Sequence, residues 1–333
     1  MGRLIVVANQ KGGVGKTTTA VNLAVALGLS ESINGVGGRH VAARQNTSRR
    51  TENGPNGTPS AAVSPSIGQQ NRNNVLLVDL DPQGNAPSGI IADTRLAELK
   101  SSGKTIYEAL IGRITLSEAI RPARERVFLA PSGPDLVGAE IELATREGRE
   151  RVLKEILAPV RDDYEYIIVD TPPSLGLLTL NALVAADSVI VPMQCEYYAL
   201  EGLTALLETI KRIRSSLNPV LRIDGLVLTM FDGRNRLSHE IAREVEKHFP
   251  EKVFQNVIPR NVRLSESPSH GLSVIEYDPK SAGAIAYLNL AAELVARLNG
   301  NDTSKIEAND DTPARRSWSL RALFARDNER GKR

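Results

Sequence analysis

The chain carries one cysteine, Cys195, in 333 residues. That excludes an intrachain disulfide framework and a CxxC metal site, and a reducing cytosol is the compartment that fits. No apolar run approaches the ~18–20 residues needed to cross a bilayer. Met1-Gly-Arg leads straight into a strand-like run, so no signal peptide is expected. Charge of one sign is also lacking: 41 Lys+Arg stand against 39 Asp+Glu, a formal charge of +2. A nucleic-acid surface would therefore have to be a local patch. What remains, 41% hydrophobic and 24% charged residues, is the composition of an ordinary globular chain.

Composition shifts twice along the sequence. Residues 30–74 hold 25 Gly, Pro, Asn, Ser or Thr out of 45, no aromatic, and five Arg against two Glu. Such a stretch buries too little apolar surface to offset its ordering entropy, so disorder is expected. It falls between a helical pattern (Ala20, Val21, Leu23, Ala24, Leu27) and the strand-like run Val75-Leu-Leu-Val-Asp79. It reads as an insertion in a connection that normally takes a few residues; closure entropy grows only logarithmically with its length. The second shift is a charged tail, 299–333, polar apart from Trp318, Leu320, Leu323 and Phe324.

Between these segments, short apolar runs alternate with helix-period stretches. The runs are Leu4–Val7, Val75–Val78, Val127–Leu129, Tyr166–Val169, Val189–Val191, Gly225–Leu228 and Val253–Ile258. The helical stretches are 15–27, about 135–157, 175–185, 200–215, 237–249 and 282–298. Apolar runs without polar alternation mark strands covered on both faces. Their alternation with helices predicts an α/β fold, doubly wound on a mainly parallel sheet. One domain is expected over 1–298, interrupted at 30–74 and followed by the flexible tail.

The first strand ends in Ala8-Asn9-Gln10-Lys11-Gly12-Gly13-Val14-Gly15-Lys16-Thr17-Thr18, and a helix follows. Strand, Gly-rich loop and helix make the context of a phosphate-binding loop. Glycines let backbone N–H groups converge on phosphate oxygens. Lys16 offers a point charge to the β/γ phosphates, and the Thr17 hydroxyl can ligate Mg²⁺. The loop departs from the common pattern: Gln10 stands where the first Gly would fall, and Lys11 is a second lysine inside it.

A Mg-nucleotide site also needs carboxylates at the ends of strands beside the loop. One strand ends in Asp79-Leu80-Asp81-Pro82-Gln83-Gly84-Asn85, another in Ile167-Ile168-Val169-Asp170-Thr171. Asp170, after an apolar run, would hold Mg²⁺. Alternation puts Asp79 and Asp81 on one side of the chain, one to orient a metal-bound water and one to polarise the attacking water. The alternative for any of them is a cap on the next turn or helix.

The loop Lys11-Gly-Gly-Val-Gly-Lys16-Thr-Thr resembles the deviant Walker A of the ParA/MinD group of P-loop ATPases. Three more blocks resemble the ParA/Soj chromosome- and plasmid-partitioning branch: Asp79-Leu-Asp81-Pro-Gln-Gly-Asn-Ala86, Gln194-Cys-Glu-Tyr-Tyr-Ala-Leu-Glu-Gly202 and Ile258-Pro-Arg-Asn-Val-Arg-Leu-Ser-Glu-Ser-Pro268. The resemblance runs from residue 3 to about 298, without the insertion. It implies a slow ATPase needing Mg²⁺, in which ATP is sandwiched between two subunits of a two-fold homodimer. Lys11 would reach the partner's phosphates in trans, as an arginine finger does. Lys11, Gly12, Gly13, Val14, Gly15, Lys16, Thr17 and Thr18 would bind ATP. Lys11, Lys16 and Asp81 would be catalytic, and Thr17, Asp79 and Asp170 would surround the metal. Pro259 and Asn261 match the segment lining the adenine pocket. Lys211, Arg212, Arg214, Arg234 and Arg236 fall where the family contacts double-stranded DNA without sequence preference; by sequence alone such a cluster is a solvated helix face. The implied partner is a ParB-type centromere-binding protein whose basic segment stimulates hydrolysis. The implied location is cytoplasmic and nucleoid-associated. No helix-turn-helix segment precedes residue 3, so no operator-binding domain is expected.

The insertion and the tail depart from the family pattern. The tail's Arg315–Arg326 could form a basic amphipathic helix, as in membrane-cycling MinD-like positioners, which is the alternative function. A redox ATPase like the nitrogenase iron protein shares the loop but needs two cluster cysteines per subunit, and Cys195 cannot supply them. A scaffold without hydrolysis is disfavoured by the presence of Lys16, Thr17, Asp79, Asp81 and Asp170.

Overall fold

A computed structural model of the chain describes residues 1–29, 74–91, 102–196 and 199–300. Most of the 30–74 insertion and most of the tail, Trp318 included, lie outside the described residues.

Seven strands form one sheet: β1 (Arg3–Val7), β2 (Val75–Asp79), β3 (Arg121–Arg124), β4 (Val127–Ala130), β5 (Tyr166–Asp170), β6 (Ser188–Gln194) and β7 (Arg222–Thr229). Their order is β3-β4-β2-β5-β1-β6-β7. Every pairing is parallel except β3 with β4. β2 and β5 are buried at every position, the consequence of apolar runs without polar alternation.

The helices are α1 (Lys16–Gly28), α2 (Asn85–Ser88), α3 (Ile106–Leu110), α4 (Leu116–Ala119), α5 (Leu136–Leu143), α6 (Val152–Leu157), α7 (Leu177–Ala185), α8 (Ala199–Ser216), α9 (Arg236–His248), α10 (Val262–Glu266), α11 (Val274–Tyr277) and α12 (Ala282–Leu298). Strand alternation sends Ile5 and Val7 to one face, where they meet Leu23, Leu27, Tyr287 and Leu290 of α1 and α12. Leu4 and Val6 go to the other face, with Leu153, Leu183, Leu206 and Val245 of α6 to α9. Burying each such side chain stabilises the fold by about 1.5–3 kcal/mol. The doubly wound, mainly parallel sheet expected from the sequence is the fold observed.

Three local readings needed correction. Val253–Ile258 is not a strand but runs beside β7 with isolated bridges, Leu226 to Val253 and Phe231 to Pro259. Its ladder fails because buried Glu293 of α12 accepts the Gln255 and Asn256 N–H groups, at 2.8 and 3.0 Å. The stretch 135–157 is two helices, broken where Gly148 takes φ 70° ahead of a 3-10 turn at Arg149–Arg151. β3 was not foreseen; it returns antiparallel to β4 through Arg126, which adopts φ 60°.

Candidate functional site

The phosphate-loop sequence leaves β1, the strand between β5 and β6, at the carboxyl ends of its parallel neighbours. This is where open α/β sheets bind ligands. Gly13 and Gly15 have φ of 73° and 83°, a region costly for residues with a Cβ. Gly15 is the N-cap of α1, and no side chain caps that helix. The first N–H groups of α1 are thus left to a ligand, and the helix dipole favours an anion there. Lys16 is buried, with its ammonium 3.0 Å from the Lys11 carbonyl oxygen. Burial lowers its pKa, and the charges of Asp170 and Asp81 oppose that shift.

A side chain of the loop itself and one from the end of each of two strands, β6 and β7, fix the loop's shape. Asn9 Nδ2 donates to the Pro192 carbonyl at 2.7 Å, and its Oδ1 accepts from the Lys11 N–H at 3.0 Å. Gln194 Nε2 donates to the Gly13 carbonyl at 3.1 Å. The Thr229 hydroxyl, at the end of β7, donates to the Val14 carbonyl at 2.8 Å. Sequence reasoning did not assign Thr229 a role. Gln194 opens one of the stretches that resemble the partitioning branch, and the resemblance alone gives it no role.

Asp79 and Asp170 end adjacent strands in direct register, and Asp170 is in register with Val7, the last residue before the loop. In-register residues on neighbouring strands lie about 5 Å apart on the same face. Both carboxyls are fully buried. Oδ2 of Asp79 and both oxygens of Asp170 have no hydrogen-bond partner. Burial pushes both pKa values up, and for Asp170 the nearby Asp79 charge is the next cause. Two desolvated acids with orphaned oxygens form a costly arrangement that a cation would relieve.

Among the described residues no three His, Cys, Asp or Glu side chains are arranged as a protein-only metal cage. A Mg²⁺ here would take the Thr17 hydroxyl and phosphate oxygens as its other ligands, the usual habit of this ion. The residues present fit Mg-nucleotide. Asp81 has no orphaned oxygen in the same sense: its Oδ1 accepts from the Gln83 N–H at 3.0 Å, and the Ser132 hydroxyl donates to its carbonyl at 2.8 Å. The turn-capping alternative thus describes one oxygen of Asp81. Asp79 Oδ1 likewise accepts from the Asp81 N–H at 2.9 Å.

Beside the loop lies a cavity of about 450 Å³, lined in part by Gln194, Cys195, Glu196, Met230, Asp232 and Arg260. Burial pushes the Cys195 thiol up to about 12. Met230 takes φ 50° at the cavity wall, strain of the kind that collects at ligand sites. Arg260 lines this cavity, whereas its neighbours Pro259 and Asn261 are not among the lining residues. Pro259 is buried, and Asn261 Oδ1 caps α10 by accepting from the Arg263 N–H at 2.8 Å.

The basic residues divide into two sets. Lys211, Arg212 and Arg214 are exposed on α8, and none of them forms an ion pair among the described residues. Arg234 and Arg236 are 91% and 93% exposed but are paired with Asp232 and Glu240.

Comparison with known proteins adds a family to this geometry. The AAA domain family model matches residues 2–33 and 55–223. The chromosome partitioning protein ParA of Myxococcus xanthus is 45% identical over 298 residues, 89% of each chain. The chain belongs to the ParA/Soj family of partitioning ATPases. The chromosome-partitioning ATPase Soj of Treponema pallidum is 43% identical over 298 residues, 89% of this chain and 98% of its own. Among solved structures, a Mycobacterium smegmatis protein described as cobyrinic acid a,c-diamide synthase, with bound ADP and magnesium, has TM-score 0.66 at 33% identity. It covers 90% of this chain and 96% of its own. For this ParA/Soj-family chain, no described helix is long and apolar enough to cross a membrane.

Proposed function

We propose that this chain is an ATP-driven DNA-partitioning switch that uses Mg²⁺ and alternates between a monomer and an ATP-sandwich dimer. The observation that carries the reading is the conjunction at β1: an uncapped helix behind a glycine loop, with two buried carboxyls in register beside it that leave three oxygens without a hydrogen-bond partner. The loop N–H groups and Lys16 hold the β and γ phosphates. Thr17, Asp79 and Asp170 hold the metal, which neutralises charge on the phosphates. Asp81, with one oxygen engaged in its turn, uses the other to orient the attacking water. Residues 1–298 act as one ATPase domain; the family model's gap between residues 33 and 55 is consistent with an insertion there.

Lys11 serves the phosphates of a second copy across a two-fold axis. The dimer presents Lys211, Arg212 and Arg214 twice and so multiplies contacts to DNA phosphates. Arg234 and Arg236 join them at lower weight, because carboxylates already partner them. A ParB-type partner accelerates hydrolysis and returns the dimer to monomers. This cycle belongs on the nucleoid in the cytoplasm.

The test is DNA retention with ATP, ADP or no nucleotide over a salt series, with Lys16→Ala as control. Retention only with ATP, lost at high salt and in the variant, is expected. No retention in any state, with ATP binding intact, would overturn the reading. The MinD-like alternative would then be tested by vesicle flotation with and without residues 312–333.

A further inference from the structure

The end of β6 and the bend that follows it grip the phosphate loop through Pro192, Gln194 and Glu196. The Pro192 carbonyl accepts from Asn9, Gln194 donates to the Gly13 carbonyl, and the Glu196 carboxylate holds the Lys11 ammonium at 2.5 Å. Pro192 and Gln194 lie at the end of β6, and Glu196 sits in the bend just after it, its N–H donating back to the Gln194 carbonyl at 3.0 Å. The inner two act on buried or backbone groups and set the loop's shape. The outer one is different in kind. It is an ion pair between side chains that are 39% and 50% exposed, and Glu196 also lines the cavity beside the loop.

We infer that Glu196 is a positioning residue that holds Lys11 on its own subunit when nucleotide is absent and sets how readily the chain dimerises on ATP. The inference rests on the trans role given to Lys11 above. The backbone of Lys11 is fixed independently of its side chain: Asn9 Oδ1 accepts from its N–H, and Lys16 Nζ donates to its carbonyl. The ammonium can therefore leave Glu196 without disturbing the cradle. Exposed ion pairs are weak enough to exchange, and a triphosphate offers several negative charges in place of one carboxylate. Without nucleotide, Glu196 holds the Lys11 ammonium on its own subunit, and a second copy offers no phosphate to draw it away. With Mg-ATP on both subunits, the two lysines exchange Glu196 for phosphate oxygens across the interface.

The test is the monomer–dimer equilibrium of the full chain by analytical ultracentrifugation, with Mg²⁺ and a non-hydrolysable ATP analogue. Wild type, Glu196→Gln and Lys11→Ala are compared at low and high salt. Glu196→Gln removes the charge from an exposed position and is expected to melt as wild type does. It should remain monomeric without nucleotide and dimerise about 2- to 30-fold more tightly with the analogue, since two ordinary exposed ion pairs no longer have to break per dimer. That advantage should shrink at high salt, which a purely structural change would not produce. Dimerisation of Glu196→Gln equal to or weaker than wild type would overturn the inference. The trans role of Lys11 fails separately if Lys11→Ala dimerises as well as wild type.

Discussion

The two strands that flank β1 treat the phosphate loop in opposite ways. On the β5 side, Asp170 and its register partner Asp79 are sealed from water, with both Asp170 oxygens and one of Asp79 left without donors. On the β6 side, contacts to the loop are hydrogen-bonded and partly exposed: Gln194 to Gly13 and Glu196 to Lys11. The first flank stores unfavourable free energy that a bound cation or proton uptake relieves. The second holds groups in ordinary solvent-screened pairs, which exchange at little cost. A nucleotide-driven switch needs both a rigid site that demands a specific ligand and an adjacent surface that can change partners.

The largest expected effect tests what the two flanks share. Lys16→Ala should weaken ATP binding by about 100-fold or more, the scale of losing one preorganised donor to a developing or fixed anion; fluorescent-nucleotide titration measures it. Asp170→Asn probes the β5 flank alone. Without Mg²⁺ it should stabilise the chain at neutral pH by about 1–3 kcal/mol, because the buried carboxyl must either stay charged or take up a proton and the amide does neither, and chemical denaturation reads this directly.

The pH dependence carries the same sign. Burial raises the Asp79 pKa from 3.8 to about 7, so the folded state binds more protons than the unfolded one between those values. Metal-free stability should therefore fall as pH rises through that window. Asp79→Asn should flatten the slope; an unchanged slope would place the strain elsewhere.

On the β6–β7 side, Thr229→Val should cost about 5- to 10-fold in ATP affinity by leaving the Val14 carbonyl unpaired. That is smaller than the Lys16 effect because the loop backbone keeps its other anchors. The smallest effects are at the basic residues. Each alanine at Lys211, Arg212 or Arg214 should lower the salt slope of DNA binding by about 2 per dimer, one for each copy. Arg234→Ala and Arg236→Ala should change it less, because Asp232 and Glu240 already partner those charges. Equal effects in both sets would erase that distinction.

The β5 flank was largely legible in the sequence. Val-Leu-Leu-Val-Asp79 and Tyr-Ile-Ile-Val-Asp170 announce buried strands by their lack of polar alternation, and an acid closing each run marks the ligand end. The loop was legible for the same reason: glycine and lysine spacing carries backbone chemistry directly. The β6 flank was less so. Thr229 looks like any strand residue, and its bond to Val14 depends on β7 and β1 lying either side of β6. The Lys11–Glu196 pair joins residues 185 apart, a contact that no local pattern encodes. Val253–Ile258 misled because its apolar pattern suits a strand, while a distant carboxylate, Glu293, takes the N–H groups a ladder would need. The five-residue α10 and four-residue α11 are set by their caps, Asn261 and Ser273, and are too short for periodicity to show.

The most direct measurement is ATP affinity by calorimetric titration, with Mg²⁺ and with EDTA, for wild type and for Asp79→Asn/Asp170→Asn. Wild type should bind ATP much more tightly with Mg²⁺, and the double variant should bind equally in both buffers, its circular dichroism unchanged. A double variant that keeps the full Mg²⁺ dependence would show that the buried carboxylates beside the loop do not hold the metal.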